Sequence, residues 1–276
     1  MFAPGLIGAS LGLALADRWR VRVWSRSESS AQAAARRIGA EFASADPVET
    51  AAGADGIVFC SPIDAMPALA SAIAGCLKSE AVVTDAGSVK AAVVEKLEGI
   101  LGPRYVGAHP MAGSEKSGLD AARKDLFQGA PCIVTPTPRS HAEALAGVEA
   151  LWREAGCRIF RLSPREHDEA VACVSHLPHA VACCLVETLA ARNPDWQKLA
   201  GSGYRDTTRV AAGAPEMWNG IFLENRREVQ LALREMIAQL QSFSDLLERG
   251  DAAALRRLLE KISALRSTLS LSNESV

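Results

Sequence analysis

Residues 3–8 read Ala-Pro-Gly-Leu-Ile-Gly and run directly into an apolar stretch that ends near Ala16. A dinucleotide-binding turn has the form G-x-G-x-x-G between a strand and a helix. Gly5 and Gly8 match its second and third glycines. The second lets the backbone approach a pyrophosphate, and the third lets the helix pack close to the sheet. Ala3 stands where the first glycine belongs, at a place whose backbone angles favour glycine. A helix from Leu6 to Ala16 aims the N–H groups of Leu6, Ile7 and Gly8 at phosphates. Only Met1 and Phe2 precede the turn, so the strand that should lead into it is missing. In a doubly wound sheet that strand is central, and its loss exposes the flanks of its neighbours. A true start upstream of Met1 is the favoured explanation, ahead of a lost strand or a chain that no longer binds cofactor.

Beyond the turn, short strand-like runs alternate with helical patterns, the signature of a parallel sheet with crossover helices. Strands are expected at residues 21–25, 56–60, 81–85, 105–108, 132–135 and 158–162, and helices at 29–38, 65–77, 89–100 and 141–155. After Pro164 only helices follow, at 166–192, 215–225, 226–249 and 251–271. The expected architecture is an α/β Rossmann-type domain over residues 1–163, its first strand missing. An all-α domain over residues 164–276 follows, for substrate binding and dimerisation.

The 276 residues are 49% hydrophobic and carry a formal net charge of −2. That balance gives no electrostatic reason to expect nucleic acid or a membrane surface. No apolar run reaches membrane-spanning length by eye. The stretch Leu6–Ala16 imitates a signal-peptide core, but no Lys or Arg precedes it. Seven cysteines, an odd number without C-x-x-C spacing, argue against a disulfide framework or a zinc site and for a reducing cytoplasm.

The end of the second strand of such a fold meets the adenine ribose, where a carboxylate favours NAD. Here the residues are Trp24-Ser25-Arg26-Ser27, with no carboxylate before Glu28. Arg26 flanked by the hydroxyls of Ser25 and Ser27 suits a 2′-phosphate, so NADP is expected over NAD. Ser61, in the Ser-Pro-Ile-Asp loop after the next strand, completes the expected cofactor-binding set.

Three further stretches carry chemistry. Asp85-Ala86-Gly87-Ser88-Val89-Lys90 lies where a strand ends and a helix begins, the ligand-binding edge of a parallel sheet. Ser88 there either caps the helix or faces a ligand, and Lys90 can face an anionic group. At the same edge Gly107-Ala108-His109-Pro110-Met111-Ala112-Gly113 places His109 at a strand end, where an imidazole can take a hydroxyl proton near neutral pH. In the helical half, Ser175-His176-Leu177-Pro178-His179 sets two histidines on one helix face, with Pro178 bending the helix. Gly203-Tyr204-Arg205-Asp206-Thr207-Thr208-Arg209 sets two guanidinium forks four residues apart. A metal pair at the histidines lacks a third ligand.

In that order, DAGSVK, GAHPMAGSEKSG, SHLPH and GYRDTTR resemble the prephenate/arogenate (cyclohexadienyl) dehydrogenase family, over nearly the whole chain. The resemblance implies a Rossmann-type domain, a helical domain that makes a homodimer, and NAD(P)-dependent oxidative decarboxylation of prephenate to 4-hydroxyphenylpyruvate or of arogenate to tyrosine. It implies that His109 accepts the ring hydroxyl proton and that Ser88 orients His109 or that hydroxyl near the nicotinamide. Arg209 would grip a substrate carboxylate, and His179 and His176 would line the pocket. Glu115 and Asp206 would organise the site, and Trp218 would reach across from a partner subunit. A β-hydroxyacid dehydrogenase, which needs a lysine on the helix opening its second domain, fits less well, since no lysine lies between Pro164 and Gln197. A non-catalytic dinucleotide-binding dimer protein is the alternative from a different class, and rests on the incomplete N-terminus.

Overall fold

The structure is a computed structural model and describes residues 2–113 and 118–268. In chain order it has α1 (Leu6–Leu15), β1 (Arg22–Trp24), α2 (Glu28–Ile38), β2 (Phe42–Ser44), α3 (Pro47–Ala51), β3 (Gly56–Phe59) and α4 (Met66–Ile73). Next come β4 (Val82–Asp85), α5 (Ala91–Leu101), β5 (Gly107–Pro110), β6 (Pro131–Thr135), α6 (Ala142–Glu154) and β7 (Arg158–Arg161). The helical half holds α7 (Pro164–Val171), a π-turn at Ala172–His176, α8 (Leu177–Arg192), α9 (Ser202–Thr208), α10 (Pro215–Glu224), α11 (Arg226–Glu248) and α12 (Ala252–Thr268).

β1 pairs with β2 and β3 with β4, both in parallel. Among the described residues, one holds the place of a central strand between β1 and β3. Phe2 bridges both Trp24 and Phe59 in parallel. Its N–H donates to Val58 O and its carbonyl accepts from Cys60 N, while Ala3 N donates to Trp24 O. Phe2 thus occupies a position of the strand that the sequence reading found missing. Phe2 is fully buried, with its ring tilted against Trp24 and Phe59 at 5.6 and 5.4 Å. Beyond Phe2, where further residues of such a strand would lie, the flanks stand apart. A groove of about 590 Å³ opens there, lined by Leu11, Leu15, Val21, Ile57 and Val58 among others.

The sheet continues from β4 through a bridge between Val83 and Tyr105 into β5, then β6 and β7. β5 runs antiparallel to β6, so the sheet is mixed rather than wholly parallel. Its two faces are covered differently. On one, Phe59, Val83, Met66, Ile73 and Leu97 pack α4 and α5 against the strands; on the other, Leu11, Val58, Val134, Val148 and Trp152 pack α1 and α6. This is the doubly wound arrangement that places ligands at the C-terminal strand ends.

α7, the π-turn and α8 form one run of 29 helical residues, Pro164–Arg192, long and apolar enough to cross a membrane by length and composition. That corrects the expectation that no segment would qualify. Read residue by residue, Ser175, His176, His179 and Glu187 interrupt the apolar run, while the average over the helix remains strongly apolar. Pro178 does not stop the helix. It lacks an N–H and crowds the preceding turn, and the π-turn widens the spiral just before it, with Leu177 N donating to Ala172 O.

Candidate active site

α1 begins with Gly5 as N-cap and no side-chain cap. Its first N–H groups therefore face outward from the end of the sheet, the arrangement that binds phosphate. Gly5 has open space where a Cβ would stand. At Gly8 a Cβ would lie 2.8 Å from Ala3 O and 3.1 Å from Cys60 Cβ, so only glycine allows the helix this close to the strand ends. Ala3 takes φ of +62°, and among the described residues no other non-glycine residue has positive φ. The place of the first glycine therefore demands a left-handed backbone, as its sequence position implied. Ser61, just after β3, is buried with an unpartnered Oγ. Ser25 and Arg26 follow β1, Arg26 being exposed, and Ser27 caps α2 by accepting from Ser30 N at 3.3 Å. An uncapped helix, an open Gly5 and an orphaned hydroxyl together fit a dinucleotide.

Asp85 and Lys90 anchor the next loop. Their buried side chains pair at 2.5 Å, and Asp85 also accepts from Tyr105 OH (2.8 Å), Gly87 N (2.8 Å) and Ala108 N (3.2 Å). Lys90 therefore does not face an anionic ligand, as its sequence position suggested. It is spent on Asp85. Ser88 between them is half-buried.

His109 lies on β5 and is 7% exposed. Its Nδ1 is 2.8 Å from Nε2 of His167, whose own Nδ1 is 2.8 Å from Asp168 Oδ1. Burial, with His167, Lys90 and His176 nearby, holds the His109 imidazole well below its ordinary range. Burial likewise lowers His167, outweighing the opposite pull of Asp168. His109 is thus a neutral base at neutral pH. Sequence reasoning missed His167 and Asp168. They sit in Pro-Arg-Glu-His-Asp-Glu, which reads as a solvated first helical turn, and they are buried because α7 docks end-on against α5.

Asn225 joins this cluster to the helical histidines. Its Nδ2 donates to Asp168 O at 2.8 Å and lies 3.1 Å from His176 Nδ1. An amide N–H donates, so His176 Nδ1 accepts and its Nε2 carries the proton in the neutral ring. That Nε2 is buried and unpartnered, as is His179 Nδ1. Burial lowers His176 to about 4. Trp218 stacks on His179 of its own chain, ring centroids 3.5 Å apart and planes 13° apart, and meets His176 edge-on at 6.1 Å. The expectation that Trp218 reaches across from a partner is therefore not needed for this contact. Gly213 packs so tightly on the pair that a Cβ would lie 2.4 Å from Trp218 Nε1. Arg209 is exposed and opens the short turn Arg209–Ala212 that packs on α8, the helix carrying His179. Asp206 is exposed on α9. Glu115 lies outside the described residues.

A family model described as the prephenate dehydrogenase nucleotide-binding domain matches residues 11–161, and one described as its dimerization domain matches residues 163–261. The chain belongs to the prephenate dehydrogenase family. It is 38% identical over 205 residues to a cyclohexadienyl dehydrogenase of Zymomonas mobilis, covering 72% of this chain and 69% of that one. To a prephenate dehydrogenase of Bacillus subtilis it is 33% identical, covering 97% and 74%. Among solved structures, the prephenate dehydrogenase of Aquifex aeolicus in complex with hydroxyphenyl propionate and NAD+ superposes at TM-score 0.90 with 32% identity, covering 96% of each chain. The Synechocystis arogenate dehydrogenase superposes at 0.83 with 32% identity, covering 96% and 97%. A member of this family is an NAD(P)-dependent oxidoreductase of tyrosine biosynthesis, and this chain is one. The prephenate dehydrogenase fold thus places the glycine turn and His109 at one edge of one sheet.

Proposed function

We propose that this prephenate dehydrogenase uses His109 as the base that takes the ring hydroxyl proton of a cyclohexadienyl substrate. The observation that carries the reading is a buried, neutral imidazole at the same sheet edge as the uncapped N-terminus of α1. The nicotinamide cofactor, when bound, supplies the hydride acceptor. Gly5, Leu6, Ile7, Gly8 and Ser61 would hold its phosphates, and Ser25, Arg26 and Ser27 would take a 2′-phosphate, which favours NADP over NAD.

His109 Nε2 receives the hydroxyl proton as the C–H bond at the same carbon loses hydride, leaving a dienone. Loss of carbon dioxide pushes the released electron pair onto that oxygen, and the proton held on His109 is the one the phenolate then needs. Proton and charge balance without any further donor. Losing such a group costs about a hundred- to ten-thousand-fold in rate.

The substrate carries at least two carboxylates. His176 Nε2–H, buried without a partner, offers one donor, and the Arg209 guanidinium offers a fork. Ser88 orients the hydroxyl, and His179 with Trp218 forms an aromatic wall; Asp206 adds to the polar lining. Prephenate and arogenate differ in one keto or amino group, and relatives of both kinds resemble this chain equally in structure-based identity.

The reading divides the chain into a nucleotide domain, 1–163, and a helical domain, 164–276, that pairs with a second copy. α11 spans 23 residues, of which only Val229 and Ala232 are buried, and it exposes Ile237, Leu240 and Leu247. Leu185 and Val186 on α8 add to that apolar surface, which a second copy would cover. Cysteine usage supports a cytoplasmic location.

The test is reduction of NADP+ and NAD+ by the purified protein with prephenate and with arogenate. Turnover with either substrate, abolished in His109→Asn, is the expected result. Undiminished turnover in His109→Asn rejects the base.

A further inference from the structure

We infer that His167 and Asp168 are positioning residues that fix the tautomer of His109, so that its lone pair sits on Nε2 and faces the substrate. The inference rests on His109 being the base proposed above.

Asp168 anchors the relay. Its Oδ1 accepts from Lys90 N at 2.7 Å and its Oδ2 from Ala91 N at 2.8 Å. These are N–H groups at the start of α5, which has no cap from its own flanking side chain. A carboxyl whose two oxygens both accept backbone donors faces His167 as an acceptor too. The 2.8 Å contact to Asp168 therefore places the His167 proton on Nδ1. A neutral ring has one N–H, so His167 Nε2 bears a lone pair. The 2.8 Å contact between His167 Nε2 and His109 Nδ1 is then closed only if His109 donates from Nδ1. One position remains for the basic lone pair of His109, its Nε2.

The same chain serves the charged state. When His109 gains a proton at Nε2, the hydrogen bond to His167 becomes charge-assisted and shorter, and the Asp168 carboxylate lies one ring away. His167 is fully buried, so water cannot substitute for it. The arrangement spans the two halves of the chain, because β5 carries the base whereas α7 carries the pair that orients it. Asp168 ties them by capping α5. Orientation of a base by an imidazole and a carboxylate from another element is geometry in which the third group sets the tautomer without itself taking the proton.

The experiment compares wild type with His167→Leu and His167→Gln in the full chain. In 15N spectra of histidine-labelled protein, wild type should show His109 protonated at Nδ1 and bare at Nε2. His167→Leu should show a mixture of tautomers, with kcat lowered at least a hundredfold and KM within threefold of wild type. His167→Gln, whose amide oxygen can accept the Nδ1–H, should recover the single tautomer and at least a tenth of kcat. If Leu alone loses the folded near-ultraviolet signal, the Gln variant and the wild-type tautomer still decide. A wild-type His109 protonated at Nε2, or a tautomer and kcat unmoved by Leu, overturns the inference. Absence of turnover in wild type with both substrates rejects the reaction instead, and the nitrogen spectra still read the tautomer.

Discussion

Asp85 and Lys90 form an ion pair in which neither side chain is exposed to solvent, at the loop that joins β4 to α5. Every other contact of Asp85 is also internal: Tyr105 OH, Gly87 N and Ala108 N. The pair therefore ties the start of α5 to β5 at Ala108, the residue before His109. Breaking a buried pair by removing one partner costs about 3–5 kcal/mol, because the remaining charge has no water to turn to. Lys90→Met should lose that much in urea unfolding. Asp85→Asn combined with Lys90→Met should lose less than Lys90→Met alone. A loss below about 1 kcal/mol for Lys90→Met would show that the pair does not hold the loop.

The buried histidines predict a stability that falls in acid. His176 is lowered to about 4 in the folded chain; unfolded, it titrates near 6.5. Above pH 6.5 the ring is neutral in both states and contributes no pH dependence. As pH falls from 6.5 towards 4, the unfolded chain binds a proton that the folded chain refuses, so stability drops. The loss amounts to on the order of 3 kcal/mol by pH 4. His109 and His167 are lowered too and act in the same direction. His176→Gln should flatten the fall in melting temperature between pH 6.5 and 4, while leaving part of it from the other two rings. An unchanged slope would remove His176 from the account.

The proposed preference for NADP rests on Arg26 and its serine neighbours. Arg26→Asp replaces a fork for a 2′-phosphate with a carboxylate that accepts from a ribose 2′-hydroxyl and repels phosphate. The ratio of kcat/KM for NADP to that for NAD should fall by about tenfold or more, the effect of losing one charge-assisted contact of roughly 1.4 kcal/mol. Equal ratios before and after would place the discrimination elsewhere.

Ala3 at φ +62° holds a backbone that costs an L-residue about 1–2 kcal/mol. Glycine relieves that strain and gives back part of it as flexibility of the unfolded chain. Ala3→Gly should therefore stabilise by up to about 1 kcal/mol, a rise of roughly 2 °C in melting temperature. Destabilisation would mean that the alanine methyl group packs better than its backbone angle suggests.

Much of the fold was legible because its signals are local. Six of the seven strands and the long helices follow from alternating patterns and turn chemistry. β2 escaped because Phe42–Ser44 is only three residues and carries no alternation. The reversed direction of β6 and β7 relative to β4 and β5 escaped because pairing direction depends on the connection between strands, not on the strands themselves. In the candidate site, the glycine turn and His109 could be placed at the strand ends from sequence position. His167, Asp168 and Asn225 did not. Nothing in a helix start such as Pro-Arg-Glu-His-Asp tells that its histidine is wholly buried, since that follows only from α7 meeting the end of α5. Lys90 misled for the same reason: its partner is five residues back, but only the turn between them reveals it.

The groove beside Phe2 has the shape of a strand slot. Phe2 pairs with strands on both sides, yet the groove beyond it, between Val21–Arg22 and Gly56–Val58, holds about 590 Å³. A strand entering it would be covered on both faces, which calls for a continuous apolar run rather than alternation. Five residues span about 17 Å, enough to reach along both flanking strands. Five Val and Ile residues fused ahead of Met1 should raise the melting temperature by several degrees, at roughly 2–4 °C per kcal/mol. The same extension with Pro at alternate positions offers similar apolar area but cannot complete the ladder. It should give little. If both extensions raise the melting temperature equally, the gain is mere apolar cover and the groove is not a strand slot; if neither does, the flanks of Phe2 are already closed in solution.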